Sequence, residues 1–261
     1  MKRIIVSVTN DLVTDQRVNK TCLTLSNAGY DILLVGRKLK HSLPLEQKPY
    51  KMHRMKLRFT KGPFFYAAYN LRLFFFLMTH KADVFFSNDL DTLLANYLAA
   101  KIKGKKLVYD THEYYCYVPE LICRPKVQKV WLFIERYIFP KLKWIFTVND
   151  SIAGLYKSHY QIEPVVVRNV PMKKTFDSIP FKSKAALGLP EDKNIILLQG
   201  AGININRGAE EAVLAMQWVE NAIFLIIGGG DVLPELKKMV KELGLGQKVI
   251  FKPKMPFADM I

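Results

Sequence analysis

The sequence is poor in cysteine, in long apolar runs and in acidic residues, and each shortage excludes a class of protein. Three cysteines in 261 residues, without metal-ligand spacing, exclude a disulfide-stapled scaffold and favour a reduced, cytosolic chain. No stretch reaches the ~20 uninterrupted apolar residues of a membrane-spanning helix, since the nearest candidate, residues 64–78, is broken by Asn70 and Arg72. Only 23 acidic residues oppose 39 lysines and arginines, which gives a formal net charge of +16. Because half of the residues are apolar, a disordered chain is excluded as well.

The positive charge is concentrated in the first two thirds of the chain. Residues 1–170 carry 27 basic and 13 acidic groups, whereas residues 171–261 carry 12 and 10. Nine basic residues lie between Arg37 and Lys61, and the aromatic, helix-compatible stretch 64–78 follows them. This combination indicates a surface that rests on anionic lipid headgroups; the alternative is a buried helix preceded by a solvated basic loop. Nucleic acid is not expected as a partner, because the basic residues lack interleaved aromatics and a recognisable binding motif.

Short apolar runs alternate with helix-compatible segments along the chain. The runs predicted to be strands are 4–8, 32–35, 84–87, 107–109, 144–148 and 165–167, and then 195–199, 222–227 and 248–251. Runs that are apolar throughout are typical of strands covered on both faces, and their alternation with helices predicts parallel sheets. The predicted fold class is therefore α/β, with two doubly wound parallel sheets.

The alternation pauses at residues 171–192, a proline-containing stretch that we interpret as a linker. We expect a first domain over residues 1–170 and the beginning of a second domain over 193–261. The second sheet has room for three strands, and the residues from 254 onwards are predicted to enter another helix. Because about 70 residues bury too little surface for a stand-alone doubly wound domain, we expect the natural fold to be longer than this chain.

Polar and ionisable residues cluster directly after the predicted strands of the first domain, where open α/β sheets bind their ligands. The candidates are Asp15, Arg17, Asn88, Asp89, Asp110, His112, Glu113, Asn149 and Asn169. Helix capping is the competing interpretation for Asp89, and also for Asp150, which follows Asn149 in the sequence. His112 lies between Asp110 and Glu113, and we expect these carboxylates to raise its pKa and to orient its ring.

The second domain opens with a glycine-containing turn, Gly200-Ala201-Gly202, which Arg207 and Gly208 follow. Such a turn lets the backbone approach a phosphate, and an arginine supplies paired donors for a diphosphate. Neither this turn nor Gly228-Gly229-Gly230-Asp231 matches the dinucleotide fingerprint, which disfavours a nicotinamide cofactor. Turn formation alone is the competing interpretation for the glycines. Lys252, after the third strand, is either a phosphate contact or a solvated lysine.

Several segments occur in an order and spacing that is specific when they are taken together. They are Asn10-Asp11 through Val18, Tyr109-Asp110-Thr111-His112-Glu113, Arg168-Asn169-Val170-Pro171, Gln199-Gly200 with Arg207-Gly208, and Ile226-Ile227-Gly228 with Gly230. They resemble retaining, family 4-type glycosyltransferases of the GT-B fold. The resemblance implies two Rossmann-like domains, of which the second is incomplete here. It also implies an acceptor on the first domain, a nucleotide-sugar donor on the second, and no cofactor or metal ion.

The resemblance also assigns roles to individual residues. The catalytic group would be His112 with Asp110 and Glu113. Donor binding would fall to Gly200, Arg207, Gly208, Gly228, Gly230 and Lys252. The acceptor-side cleft would hold Asp15, Arg17, Asn88, Asp89, Asn149 and Asn169. Since the family's Glu-x7-Glu segment lies beyond residue 261, weak or absent transfer is expected of this chain.

The predicted function is sugar transfer from a nucleotide-diphosphate donor to an envelope glycan or a lipid-linked acceptor. Acceptors of this kind imply a cytoplasmic protein that is peripheral at the inner face of the cell membrane. Two alternatives remain open at this point: a nucleotide-sugar epimerase of the same fold, and a non-catalytic module that binds a membrane surface or a partner.

Overall fold

The computed structural model describes residues 1–13, 15–40, 42, 44–170, 182–200, 202–253 and 255. The chain divides into two compact units, Met1–Asn169 and Val170–Ile261. One unit carries a seven-stranded parallel sheet and the other a three-stranded parallel sheet. The predicted α/β class, with a larger and a smaller parallel sheet, is confirmed.

The seven strands of the first sheet lie in the order β3-β2-β1-β4-β5-β6-β7. The strands are β1 Arg3–Ser7, β2 Asp31–Lys38, β3 Lys51–Lys56, β4 Val84–Asn88, β5 Lys106–Thr111, β6 Trp144–Thr147 and β7 Val165–Val166. The helices of this unit are α1 Gln16–Asn27, α2 Gly62–Thr79, α3 Leu90–Lys103, α4 Pro119–Ile122, α5 Pro125–Ile138 and α6 Asp150–Tyr160. The strand order reverses direction between β1 and β4, which is where doubly wound sheets open a crevice for ligands.

Strand β3 was not predicted, because its segment was assigned to a solvated basic loop. It pairs in parallel with β2 at the edge of the sheet, and Met55 is its one fully buried side chain. Lysine-rich sequence is compatible with an edge strand, since charges there discourage pairing with another molecule.

Helix α2 shows which part of the aromatic stretch 64–78 is buried. Phe65, Tyr69, Leu73 and Leu77 recur at intervals of four and are buried in the core of the first unit. Part of the aromatic content therefore packs under the helix, as the buried-helix alternative holds, and only the opposite face is exposed.

Among its described residues, the second unit has the three strands that were predicted, and they lie in the order β10-β9-β8. They are β8 Asn194–Gly200, β9 Ala222–Gly228 and β10 Val249–Pro253, with helices α7 Ala209–Ala215 and α8 Leu233–Glu242. Central strand β9 is buried from 222 to 227, so it is covered on both faces. Within the expected linker, Leu189 packs against Ile223 and Leu225, while residues 171–181 lie outside the described residues. The helix expected from 254 onwards also lies outside them.

Candidate active site

The best-defined polar cluster of the first unit lies at the carboxyl ends of β1, β4 and β5. Asn88 at the end of β4 is in register with Asp110 of β5. This register brings Asp89, Asp110 and His112 together at the reversal point of the sheet, although 23 residues separate the first from the last.

His112 is held between two carboxylates. Its Nδ1 lies 3.1 Å from Oδ2 of Asp89, and its Nε2 lies 3.4 Å from Oδ2 of Asp110. Burial opposes the charged ring, but Asp89 and Asp110 outweigh burial and raise the pKa of His112 to about 10. At neutral pH the side chain, 18% exposed, is therefore an imidazolium.

The expected rise in the pKa of His112 is confirmed, but one of the carboxylates was misassigned. Asp89, from the neighbouring strand, takes the place that the sequence suggested for Glu113. The main-chain carbonyl of Glu113 accepts a hydrogen bond from Oγ1 of Thr111 at 2.7 Å. Adjacency along the chain favoured Glu113, whereas the pairing of β4 with β5 decides the actual neighbour.

Arg17 holds Asp110 from the other side. Its Nη2 and Nε lie 2.6 and 2.9 Å from the two carboxylate oxygens, and its Nη1 donates to the carbonyl of Val167 at 2.7 Å. Burial would raise the pKa of Asp110, but the neighbouring His112 ring and the hydrogen bonds from Arg17 more than offset this effect and lower the pKa. Arg17 thus keeps the second carboxylate beside His112 ionised.

Asp91, which also follows the third predicted strand, belongs to the same cluster, although the sequence assigned no role to it. Its Oδ2 accepts a hydrogen bond of 2.5 Å from Oγ1 of Thr9, and the residue is buried. Burial first, and then the charge of Asp89, raise the pKa of Asp91 to about 7. The run Asn88-Asp89-Leu90-Asp91 contained the signal, since an acidic residue at the second position of a helix after a sheet edge has few routes to solvent.

The other residues expected in the acceptor-side cleft have structural partners. Asp15 caps α1 by accepting from the amide of Val18, and Asn149 caps α6 by accepting from Ile152. The Oδ1 atom of Asn169 accepts from Lys20. Asn88 is fully buried and donates to the carbonyl of Ser7, which ties β4 to β1.

The capping interpretation fails for Asp89 and for Asp150. Asp89 precedes α3 without a side-chain hydrogen bond to its first turn. The carboxylate of Asp150 accepts a hydrogen bond from Arg168 at 3.1 Å.

The glycines of the second unit allow two loops to pack against each other. A Cβ on Gly228 would lie 1.7 Å from the carbonyl oxygen of Gly200, and one on Gly230 would lie 1.9 Å from that of Ile203. The close approach of the two loops therefore requires glycine at both positions, and a role in donor binding stays a prediction. Arg207 is exposed, and Gly208, in a left-handed conformation with φ of 82°, precedes α7.

Lys252 was expected after the third strand of the second sheet, and this placement is wrong. It lies within β10, and its Nζ donates to the carbonyl of Leu187 at 2.8 Å. The contact fixes the ammonium group to the backbone of its own unit.

Comparison with known proteins establishes the family. The chain belongs to Glycosyltransferase Family 4, whose family model matches residues 16–171, more than half of its length. The matched segment includes Arg17, Asp89, Asp110 and His112. A sequence search of curated proteins gave no match.

Three solved structures are similar to this chain at low sequence identity. A sucrose-phosphate synthase from Thermosynechococcus elongatus gives a TM-score of 0.78 at 17% identity, covering 100% of this chain and 72% of that one. Anabaena HepE in complex with UDP and glucose gives 0.66 at 11%, covering 98% and 70%. A UDP-N-acetylglucosamine 2-epimerase from Rickettsia bellii gives 0.64 at 14%, covering 100% and 71%. These likenesses confirm the GT-B fold.

Proposed function

We propose that the protein is a retaining glycosyltransferase that moves a sugar from a nucleoside-diphosphate donor to a glycan or lipid-linked acceptor. The observation that carries the proposal is the His112 imidazolium, fixed by Asp89 and Asp110 at the reversal point of the first sheet. Two cations, Arg17 and His112, balance two carboxylates in this cluster. A charged ring is thereby held in a fixed position in a mostly buried site. A charge that is already oriented stabilises a transition state without the cost of reorganising the site during the reaction.

The leaving group of this reaction is a nucleoside diphosphate, which gains negative charge as the glycosidic bond breaks. We assign its binding to the second unit, where Gly200 and Gly208 flank an exposed Arg207. The complex of HepE with UDP supports a uridine nucleotide as the first donor to test. No cofactor or metal ion enters the proposal, so a chelator such as EDTA is expected to leave the rate unchanged.

A melting-temperature screen with UDP-, GDP-, ADP- and CMP-sugars tests the donor class. One nucleotide class is expected to raise the melting temperature, and the same class is then assayed for transfer to lipid-linked and glycan acceptors. His112→Gln is expected to abolish whatever weak transfer this chain retains, while the nucleotide still stabilises the protein. Absence of stabilisation by all four classes would contradict the proposal.

An epimerase is the second candidate, because a UDP-N-acetylglucosamine 2-epimerase is among the similar structures. The two activities differ in their need for an acceptor. An epimerase converts the nucleotide sugar or releases UDP when no acceptor is present, whereas a transferase releases UDP only when an acceptor is supplied. Chromatography of UDP-N-acetylglucosamine after incubation with the protein distinguishes them.

We also propose a cytoplasmic protein that binds the inner face of the cell membrane through the outer surface of three helices. Among the described residues, no helix is both long and apolar enough to cross a bilayer. Helix α3 packs against both α2 and α5, and large side chains remain exposed on all three helices. The exposed side chains are Phe64, Leu71, Phe75, Leu98, Ile102, Val127, Val130, Phe133 and Tyr137.

The charges on this three-helix surface favour binding to an anionic bilayer over binding to a neutral one. The only acidic residues in the three helices, Asp91 and Glu135, are both buried. The exposed basic residues are Arg72, Lys101, Lys126, Lys129 and Arg136. Apolar side chains surrounded by cations match the two attractions that hold a protein on a membrane surface.

Co-sedimentation with liposomes tests the three-helix surface. Binding to vesicles with phosphatidylglycerol is expected to exceed binding to phosphatidylcholine alone, and Phe133→Ser with Val130→Ser is expected to reduce it. Trp218→Ser is the matched control, since Trp218 is 77% exposed in the second unit and Phe133 is 72% exposed in the first. Equal binding of the two variants would contradict the assignment. Liposome binding without any nucleotide stabilisation would instead favour a non-catalytic membrane module.

A further inference from the structure

The residue after β4 has a backbone conformation that its side chain should disfavour. Asp89 has φ of 57° and ψ of 167°, a region that is essentially reserved for glycine. Gln161 also has a positive φ, but it ends α6 in the ordinary left-handed conformation, with ψ of 27°. An aspartate persists in the glycine-only region only where surrounding contacts hold it there.

The contacts of Asp89 converge on one residue. Its Oδ1 accepts a hydrogen bond from the main-chain amide of His112 at 3.0 Å, and its Oδ2 lies 3.1 Å from the ring Nδ1. Its own amide donates to the carbonyl of Asp110 at 2.9 Å. The carboxylate of Asp89 therefore contacts both the backbone amide and the ring of His112, while the backbone amide of Asp89 is hydrogen-bonded to β5.

Glycine would suit this backbone better, yet it would remove both contacts with His112. Helix capping does not explain the aspartate either, since it makes no side-chain bond to the first turn of α3. The aspartate side chain is thus accounted for by what it does to His112.

We infer that Asp89 is the positioning residue for His112: it fixes the direction of the ring and keeps the ring protonated. This inference rests on the proposed role of His112 at the donor sugar. Asp110, held ionised by Arg17, is the second group that faces the ring. Asp91, on α3, faces Thr9 and is the remaining carboxyl of the cluster.

The test is an NMR titration of the His112 ring in the full chain, with its signal assigned through His112→Gln. In the protein as it is, the ring is expected to remain protonated through pH 8. In Asp89→Gly and in Asp89→Asn its titration midpoint is expected to fall by at least one pH unit, a tenfold change in the proton-binding constant.

Gln161→Gly is the matched control, since it replaces another positive-φ residue far along the chain from His112. It is expected to leave the His112 midpoint unchanged. An unchanged midpoint in both Asp89 variants would overturn the inference, and so would an equal shift in the control. If the midpoint falls but none of the four nucleotide classes raises the melting temperature of the unaltered protein, the positioning of the ring stands and the proposed function fails instead.

Discussion

At the scale of single residues, the site is defined by buried ion pairs, of which Arg17 with Asp110 is the most buried. Arg17 and Asp110 are 8% and 3% exposed, and two parallel hydrogen bonds join them. Breaking a buried pair by removing one partner leaves an uncompensated charge, which costs far more than losing an exposed pair. The site therefore has a measurable stability signature that does not depend on any substrate.

Arg17→Met is expected to destabilise the protein by about 3–5 kcal/mol, because Asp110 would lose its main partner while remaining buried. Urea unfolding followed by circular dichroism measures the change. Arg168→Ala is the control: its pair with Asp150 is exposed, so the expected loss is below about 1 kcal/mol. Similar losses in the two variants would show that the buried pair contributes nothing special.

Asp91 predicts a specific dependence of stability on pH. Its pKa is raised from 3.8 in the unfolded chain to about 7. A raised carboxyl pKa contributes stability that is fully present below pH 4 and is lost as the pH rises through 7. The loss is on the order of 4 kcal/mol. Asp91→Asn should therefore gain stability relative to the unaltered protein between pH 4 and 7. Parallel urea midpoints across that window would contradict the burial of an ionisable Asp91, and Asp150→Asn is the exposed control.

The residue scale also marks the limit of inference from sequence. The rule that ligand-binding groups follow the strands located Asp89, Asp110 and His112 correctly. It could not say which carboxylate meets the imidazole, because that depends on the register of β4 against β5. Asp91 could be given no role for the same reason, since its partner Thr9 lies 82 residues away along the chain.

At the scale of elements, the apolar strands were predictable, including the edge strands β7, β8 and β10, whereas the charged edge strand β3 was not. Strand β9 is a continuous apolar run and was placed correctly from its composition. Strand β3 has only Met52 and Met55 among lysine, arginine and histidine, so its pattern resembles a loop. What makes it a strand is the free edge of β2, which no local pattern reveals.

The packing of two loops in the second unit yields a prediction about elements. Gly230→Ala would place a methyl group on the carbonyl of Ile203, so the loop after β8 must shift. We expect a loss of about 1–3 kcal/mol in unfolding free energy, as in other overpacked sites, and weaker nucleotide binding. Gly229→Ala is the control, because no atom lies within 4 Å of the added carbon. Equal stability of the two variants would contradict the close packing of the loops.

At the scale of the whole molecule, family membership supports a transferase, and the placement of charge is the basis of the proposal that it binds a membrane surface. The excess of positive charge in residues 1–170 was visible in the sequence. The sequence did not show which charged residues are buried, because only the structure shows that the acidic residues of α3 and α5 face inward. Donor, acceptor and membrane binding remain proposals that separate experiments address.

Calorimetric titration with UDP tests the central claim most directly. We expect UDP to bind the protein and Arg207→Ala to weaken its affinity by roughly 5- to 150-fold, or about 1–3 kcal/mol, as for the loss of a charge-assisted contact. Lys238→Ala, on the exposed side of α8, should bind as the unaltered protein does. If UDP, GDP and ADP all fail to bind, or if Arg207→Ala binds as tightly as the Lys238 variant, the assignment of the donor phosphate to this unit is contradicted.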